Sequence, residues 1–138
     1  MSTLPKQVVE ISIRSELGYE KIPMAALVIL AHMMDFEADR IENLKMAVGE
    51  AVTNAIEHGN QEDSDTQVHV TFTRHATHLA ILVVDQGLKS IPDIQTERGD
   101  RIDNRGWGFP FIKKFMDEAT TLAKSGRNEM RMVAYLKK

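Results

Sequence analysis

The sequence predicts an α+β fold: a two-layer sandwich in which helices cover one face of a sheet. Three observations lead there. One long segment repeats apolar residues at helical spacing, and several short ones alternate apolar with polar residues at strand spacing. The order along the chain is strand, two helices, hairpin, long loop, helix, hairpin. At 138 residues the chain has the size of one domain, 1–138, and can bury a real core.

Each element has its own justification. "QVVEISIRS" (7–15) alternates, which puts Val9, Ile11 and Ile13 on one face of a first strand. "YEKIPMAALVILAHMMDF" (19–36) predicts a largely buried helix, with Pro23 tolerated in its first turn. "DRIENLKMAVGEAVTNAIEHG" (39–59) is the clearest helix. Its apolar stripe is Ile41, Leu44, Val48, Ala51, Val52 and Ala55, and Gly59 is its expected stop. "TQVHVTFTRHATHLAILVVD" (66–85) predicts a hairpin: Val68, Val70 and Phe72 alternate, a polar turn follows, and "LAILVV" runs into Asp85. Residues 86–105 form a polar loop of a length that marks function or disorder in a compact domain. "GWGFPFIKKFMDEA" (106–119) restarts a helix, with Pro110 in its first turn. "TTLAKS", a turn near Gly126 and "MRMVAYL" (130–136) supply two closing strands.

Composition narrows the function. Hydrophobic residues make up 43% and charged residues 27%, an ordinary soluble balance. A net charge of −3, from 17 basic and 20 acidic side chains, argues against direct binding of nucleic acid. The absence of cysteine excludes disulfides, thiol nucleophiles and cysteine-ligated zinc. "IPMAALVILAHMM" is too short and interrupted for a membrane span, and "MSTLPKQVVE" lacks the regions of a signal peptide. A cytoplasmic protein without a membrane partner is the expectation.

Three short motifs carry chemistry. In "MAVGEAVTNAIEHGN", Glu50, Asn54 and His58 recur every four residues, along one stripe at the edge of the apolar face. Such a stripe is either a solvated helix flank or a working pair: a carboxylate to take a proton and an amide oxygen to hold magnesium, which prefers oxygen ligands beside phosphates. "VVDQG" ends a strand at Asp85 and adds Gly87. It reads as a strand-to-turn signal, or as an acceptor for an exocyclic amine beside a glycine that admits a flat ring. "RGWGFP" (105–110) is a glycine-rich turn opening a helix. Most such turns bind nothing, yet the geometry is one that cradles phosphates. The order of the three carries more weight than any one alone.

In that order the motifs resemble the GHKL ATPase superfamily, and within it the small bacterial anti-sigma-factor serine kinases. The resemblance runs from "VVEISIRS" to "RMVAYL". "AVGEAVTNAIEHGN" resembles the N-box, "VVDQG" the first glycine box and "NRGWGFPFIKKFMDE" the second. It implies the Bergerat ATP-binding fold, with a mixed, mostly antiparallel sheet. It also implies Glu50 as general base, Asn54 as magnesium ligand, and Asp85 with Gly87 as the adenine reader. Gly106 and Gly108 would lie against the phosphates, with Arg105 at the γ-phosphate or the docked substrate. Residues 88–104 would be the ATP lid; His58 completes the N-box pattern, and its own expected role is packing or helix-end hydrogen bonding. The implied activity is in-line transfer from ATP, with Mg2+, to a serine of a STAS-fold anti-anti-sigma partner. In its other state such a protein holds a sigma factor inactive, as a homodimer.

The pattern is not complete. Lys89 stands at the second glycine of DxGxG, "GFPF" replaces a glycine followed by Leu or Ile, and Asn128–Glu129 replaces Gly-Thr before the last strand. These departures keep open a nucleotide-dependent adaptor with little kinase activity. A serine kinase that activates a stress complex without binding sigma is also open. Glu50 and Asn54 together favour the kinase, because a pure binder needs no base. His75 and His78, with His69 nearby, fall in or beside a hairpin turn and make a poor zinc site.

Overall fold

The computed structural model describes residues 7–90 and 108–136. Five strands, β1 (Gln7–Arg14), β2 (Gln67–Arg74), β3 (His78–Asp85), β4 (Glu118–Lys124) and β5 (Arg127–Tyr135), form one sheet in the order β1-β2-β3-β5-β4. All four pairings are antiparallel, where a mixed sheet was allowed for. β3 and β4 do run parallel, but β5 lies between them. The helices are α1 (Lys21–Met33), α2 (Ala38–Asn54) and α3 (Phe109–Phe115). No helix among the described residues is long and apolar enough to cross a membrane.

Strand alternation builds the core as the sequence predicts. Val68, Val70, Phe72, Leu79, Ile81, Val83, Met130 and Met132 turn to the same face and are almost fully buried. Against them lies the α2 stripe of Ile41, Leu44, Val48 and Val52, extended by Ile56. Burying each large apolar side chain contributes about 1.5–3 kcal/mol. α1 adds Leu27, Leu30 and Ala31 from the other side of α2. The two helices approach closely at Gly49, where a Cβ would stand 2.7 Å from the Met24 sulfur.

Two element ends differ from the sequence reading. α2 does not continue as an α-helix to Gly59; residues Ala55–Gly59 widen into a π turn, with the Asn60 N–H donating to the Ala55 carbonyl at 2.8 Å. α3 stops at Phe115, short of the expected 119. Long-range bonds recruit the next residues into the sheet. The Asp117 N–H donates to the Val133 carbonyl, and its carboxylate accepts from the Tyr135 N–H and from Arg40. Glu118 therefore opens β4, and β5 begins at Arg127, ahead of the expected 130.

Past the π turn a fully buried asparagine ties three strand ends together. The Asn60 Nδ2 donates to Ser15 Oγ (2.9 Å) and the Gln67 carbonyl (3.0 Å), while its Oδ1 accepts from the Gln86 N–H (2.8 Å). The Thr66 hydroxyl donates to the Asp63 carbonyl at 2.6 Å, and its oxygen lies 2.9 Å from the Ser15 hydroxyl, which donates to it. Ser15 follows β1, Gln67 opens β2 and Gln86 follows β3, so one side chain sets the end of the sheet from which Asp85 projects. Replacing it leaves buried groups without partners, at about 1–3 kcal/mol each. Asn60→Ala is expected to lower the unfolding free energy by about 2–4 kcal/mol in urea titrations. A loss below about 0.5 kcal/mol would contradict the clamp.

Candidate functional site

The end of α2, the end of β3 and the start of β5 converge on one narrow cleft. Ala51, Asn54, Ala55, Val83, Asp85, Asn128 and Met130 line it. Asn54 is only 3% exposed, so the stripe is not a solvated flank at this position. Its Nδ2 is the one buried side-chain polar atom without a hydrogen-bond partner among the described residues. Leaving such a group unpaired costs about 1–3 kcal/mol, a cost that calls for a ligand. A half-turn of the amide presents oxygen in place of nitrogen with no change of shape, and that oxygen suits a hard cation.

Asp85 ends β3 inside the same cleft, 4% exposed. Its Oδ1 accepts from the Gly87 N–H at 2.7 Å and from Asn128 Nδ2 at 2.9 Å. Burial pushes the carboxyl up to about 6, and the two hydrogen bonds work against that rise without cancelling it. Gly87 has φ +63°, and a Cβ there would stand 2.6 Å from the Arg127 nitrogen, so the tight turn and the closeness of β5 both require glycine. Gly59 is required for a different reason. Its backbone is not left-handed, but a Cβ would fall on the Asp85 carboxylate. The expected helix stop is in fact space left for the buried acid.

Glu50 lies one turn before Asn54 and is half-buried. Desolvation raises its pKa, the nearby Glu57 raises it further, and His58 opposes the rise. Gly108, at φ +60°, opens α3 against this carboxylate, and a Cβ there would fall on Glu50. Pro110 occupies the first turn as expected. A carboxylate with a raised pKa, beside a cleft that holds a second acid and a cation-ready amide, has the properties of a general base.

The structure thus brings together Glu50, Asn54, Asp85, Gly87 and Gly108. Arg105 and Gly106 lie outside the described residues, as does all but the first part of the expected lid, residues 88–104. Two residues of the site were missed. Asn60 sits inside the helix motif, but only its contacts reveal its role. Asn128 looked like a loss, yet it faces Asp85 directly in the β3–β5 register. His69 has Ser12 Oγ 2.7 Å from its Nδ1, and His75 stacks on His78 at 4.2 Å.

Residues 18–134 match the histidine kinase-like ATPase domain family. The serine-protein kinase RsbW of Bacillus velezensis is 31% identical over 127 residues, spanning 86% of this chain and 79% of that protein. The anti-sigma F factor of Clostridium acetobutylicum is 31% identical over 114 residues, 78% of each. Among solved structures, the RsbU and RsbW domains of a Mycobacterium tuberculosis protein superpose with a TM-score of 0.72 at 18% identity. The match covers 97% of this chain and 34% of that one, and bears on the fold alone.

The raised Asp85 pKa has a stability consequence of definite sign. An acid that ionises less readily folded than unfolded makes its contribution in full below about pH 4 and loses it as pH rises to about 6. At about 1.4 kcal/mol per pH unit the full loss is ~3 kcal/mol; solvent reaching the cleft mouth reduces it to about 1–2. Asp85→Asn keeps an acceptor for Gly87 and Asn128 but has no charge to bury. Its stability advantage over the unmodified protein, read from thermal melts, should grow from pH 4 to pH 6 and then level. An advantage independent of pH would contradict the assignment.

Proposed function

The chain belongs to the histidine kinase-like ATPase family, and on that premise we propose that it is an ATP-dependent protein-serine kinase that also acts as an anti-sigma factor. The observation that carries the reading is the unpartnered, buried Asn54 amide, one turn after Glu50, a half-buried acid of raised pKa, and lining the same cleft as the buried Asp85. RsbW serine-protein kinases and an anti-sigma F factor are its relatives, which supports both halves of the role.

In this reading the residues divide the work. Asp85 accepts a hydrogen bond from the adenine amine, and Val83, Met130 and Ala51 flank the base. Asn54 offers its amide oxygen to Mg2+, which when bound neutralises charge on the phosphates. Glu50 orients the serine hydroxyl of the substrate and takes its proton as the oxygen attacks the γ-phosphorus in line, while the bond to the β,γ-bridging oxygen breaks and ADP leaves. Gly108, with no side chain, lets the start of α3 close on Glu50 and the phosphates. By the motif resemblance Arg105 and Gly106 are assigned to the phosphates and 88–104 to the lid.

The substrate is a STAS-fold anti-anti-sigma protein, and the second partner is a sigma factor held inactive. The protein works in the cytoplasm as a homodimer. Support for a partner surface comes from α1, whose Ile22, Ile29 and Met33 share one face and are 50%, 61% and 54% exposed.

Radiolabelled ATP, magnesium and a STAS partner from the same genome test the assignment. We expect label on the partner's serine, with transfer at least about 100-fold slower in Glu50→Gln and ATP affinity changed by no more than about threefold. Asn54→Ala is expected to abolish the strengthening of ATP binding by magnesium. ATP binding without transfer to any STAS partner would replace the kinase with a nucleotide-gated adaptor.

A further inference from the structure

We propose that Asn128 is a positioning residue for adenine selectivity, acting through Asp85, and that it also anchors the backbone at Lys89. The inference rests on the reading that the cleft binds adenine. Asn128 is 1% exposed and lies directly opposite Asp85 across β3 and β5. Its Nδ2 donates to Asp85 Oδ1 at 2.9 Å and to the Lys89 carbonyl at 2.7 Å. One amide group has two hydrogens, so a single side chain serves both acceptors.

The consequence for Asp85 is geometric. Oδ1 receives two donors, Asn128 and the Gly87 N–H, which match its two lone pairs. The carboxylate is thereby fixed in rotation, and Oδ2 is the oxygen left for an exocyclic amine. The Asn128 bond also favours the charged form, which is the form that accepts.

The consequence for Lys89 is structural. Its N–H donates to the Gly59 carbonyl at 3.0 Å while its carbonyl accepts from Asn128. Both peptide groups of the residue are held, between the end of α2 and the start of β5. Lys89 and Asn128 are two of the departures from the glycine-box pattern, and one hydrogen bond joins them. With its two hydrogens the Asn128 amide serves both acceptors, and so ties the Lys89 segment to the acid.

Calorimetric titration with ATP and ITP tests the proposal, because ITP has a carbonyl in place of the adenine amine. The unmodified protein should prefer ATP by at least about tenfold at pH 7.5. Asn128→Leu should cut that preference to within about threefold, mainly by weakening ATP, and move the pH midpoint of ATP binding upward. Asn128→Thr, which retains one donor, should restore most of the preference but leave the Lys89 amide exchanging at least about tenfold faster than in the unmodified protein. Equal weakening of both nucleotides in Asn128→Leu, or an unchanged preference, would overturn the proposal while leaving the cleft assignment intact. If Asn128→Leu does not fold, loss of the preference in Asn128→Thr overturns it. No preference for ATP in the unmodified protein would overturn the cleft assignment and this proposal together.

Discussion

A carboxylate placed at the end of a buried strand needs donors and room, and Asp85 is supplied with both from three separate parts of the chain. Gly87 gives a backbone N–H and Asn128 an amide. Gly59 gives up a side chain so that the carboxylate fits. Asn60 holds Gln86, the next residue along, against the ends of β1 and β2. Burial still raises the acid's pKa to about 6, so the arrangement holds a charge that the fold alone would not favour.

The same imbalance recurs around the cleft. Asn54 is buried without a partner, and Glu50 is an acid made harder to ionise. Each feature subtracts from stability, and all three lie at or beside the cleft: Asn54 and Asp85 line it, and Glu50 lies one turn before Asn54. A two-layer fold with a core from Phe72 to Met132 tolerates a few kcal/mol of such cost. The cost is also what prepares the groups to act: an acid of raised pKa takes up a proton more readily, and unpaired polar groups gain on binding what they lack when empty.

Much of this was legible in the sequence because it is local. Periodicity alone gives the α2 stripe from Ile41 to Ala55, the hairpin of β2 and β3, and the face each side chain takes. Spacing alone puts Glu50 and Asn54 one turn apart. What spacing does not give is register. Asn128 stands 43 residues from Asp85, and only the pairing of β3 with β5 makes it a partner and not a defect. Gly59 was read as a stop because a glycine after a helix usually is one. Its reason here is an atom of β3 that no local pattern contains. α3 was read too long for the same reason, since Asp117 is drawn into the sheet by Val133, Tyr135 and Arg40.

The account depends on Asp85 being a charged acceptor for the adenine amine, and its titration can be followed directly by carbon NMR of the side-chain carboxyl. Free protein should titrate near pH 6. With saturating ATP and magnesium the midpoint should fall by at least about one pH unit, because the amine donates to the ionised form. An unchanged or higher midpoint with ATP bound would contradict the role given to Asp85 and the site built around it.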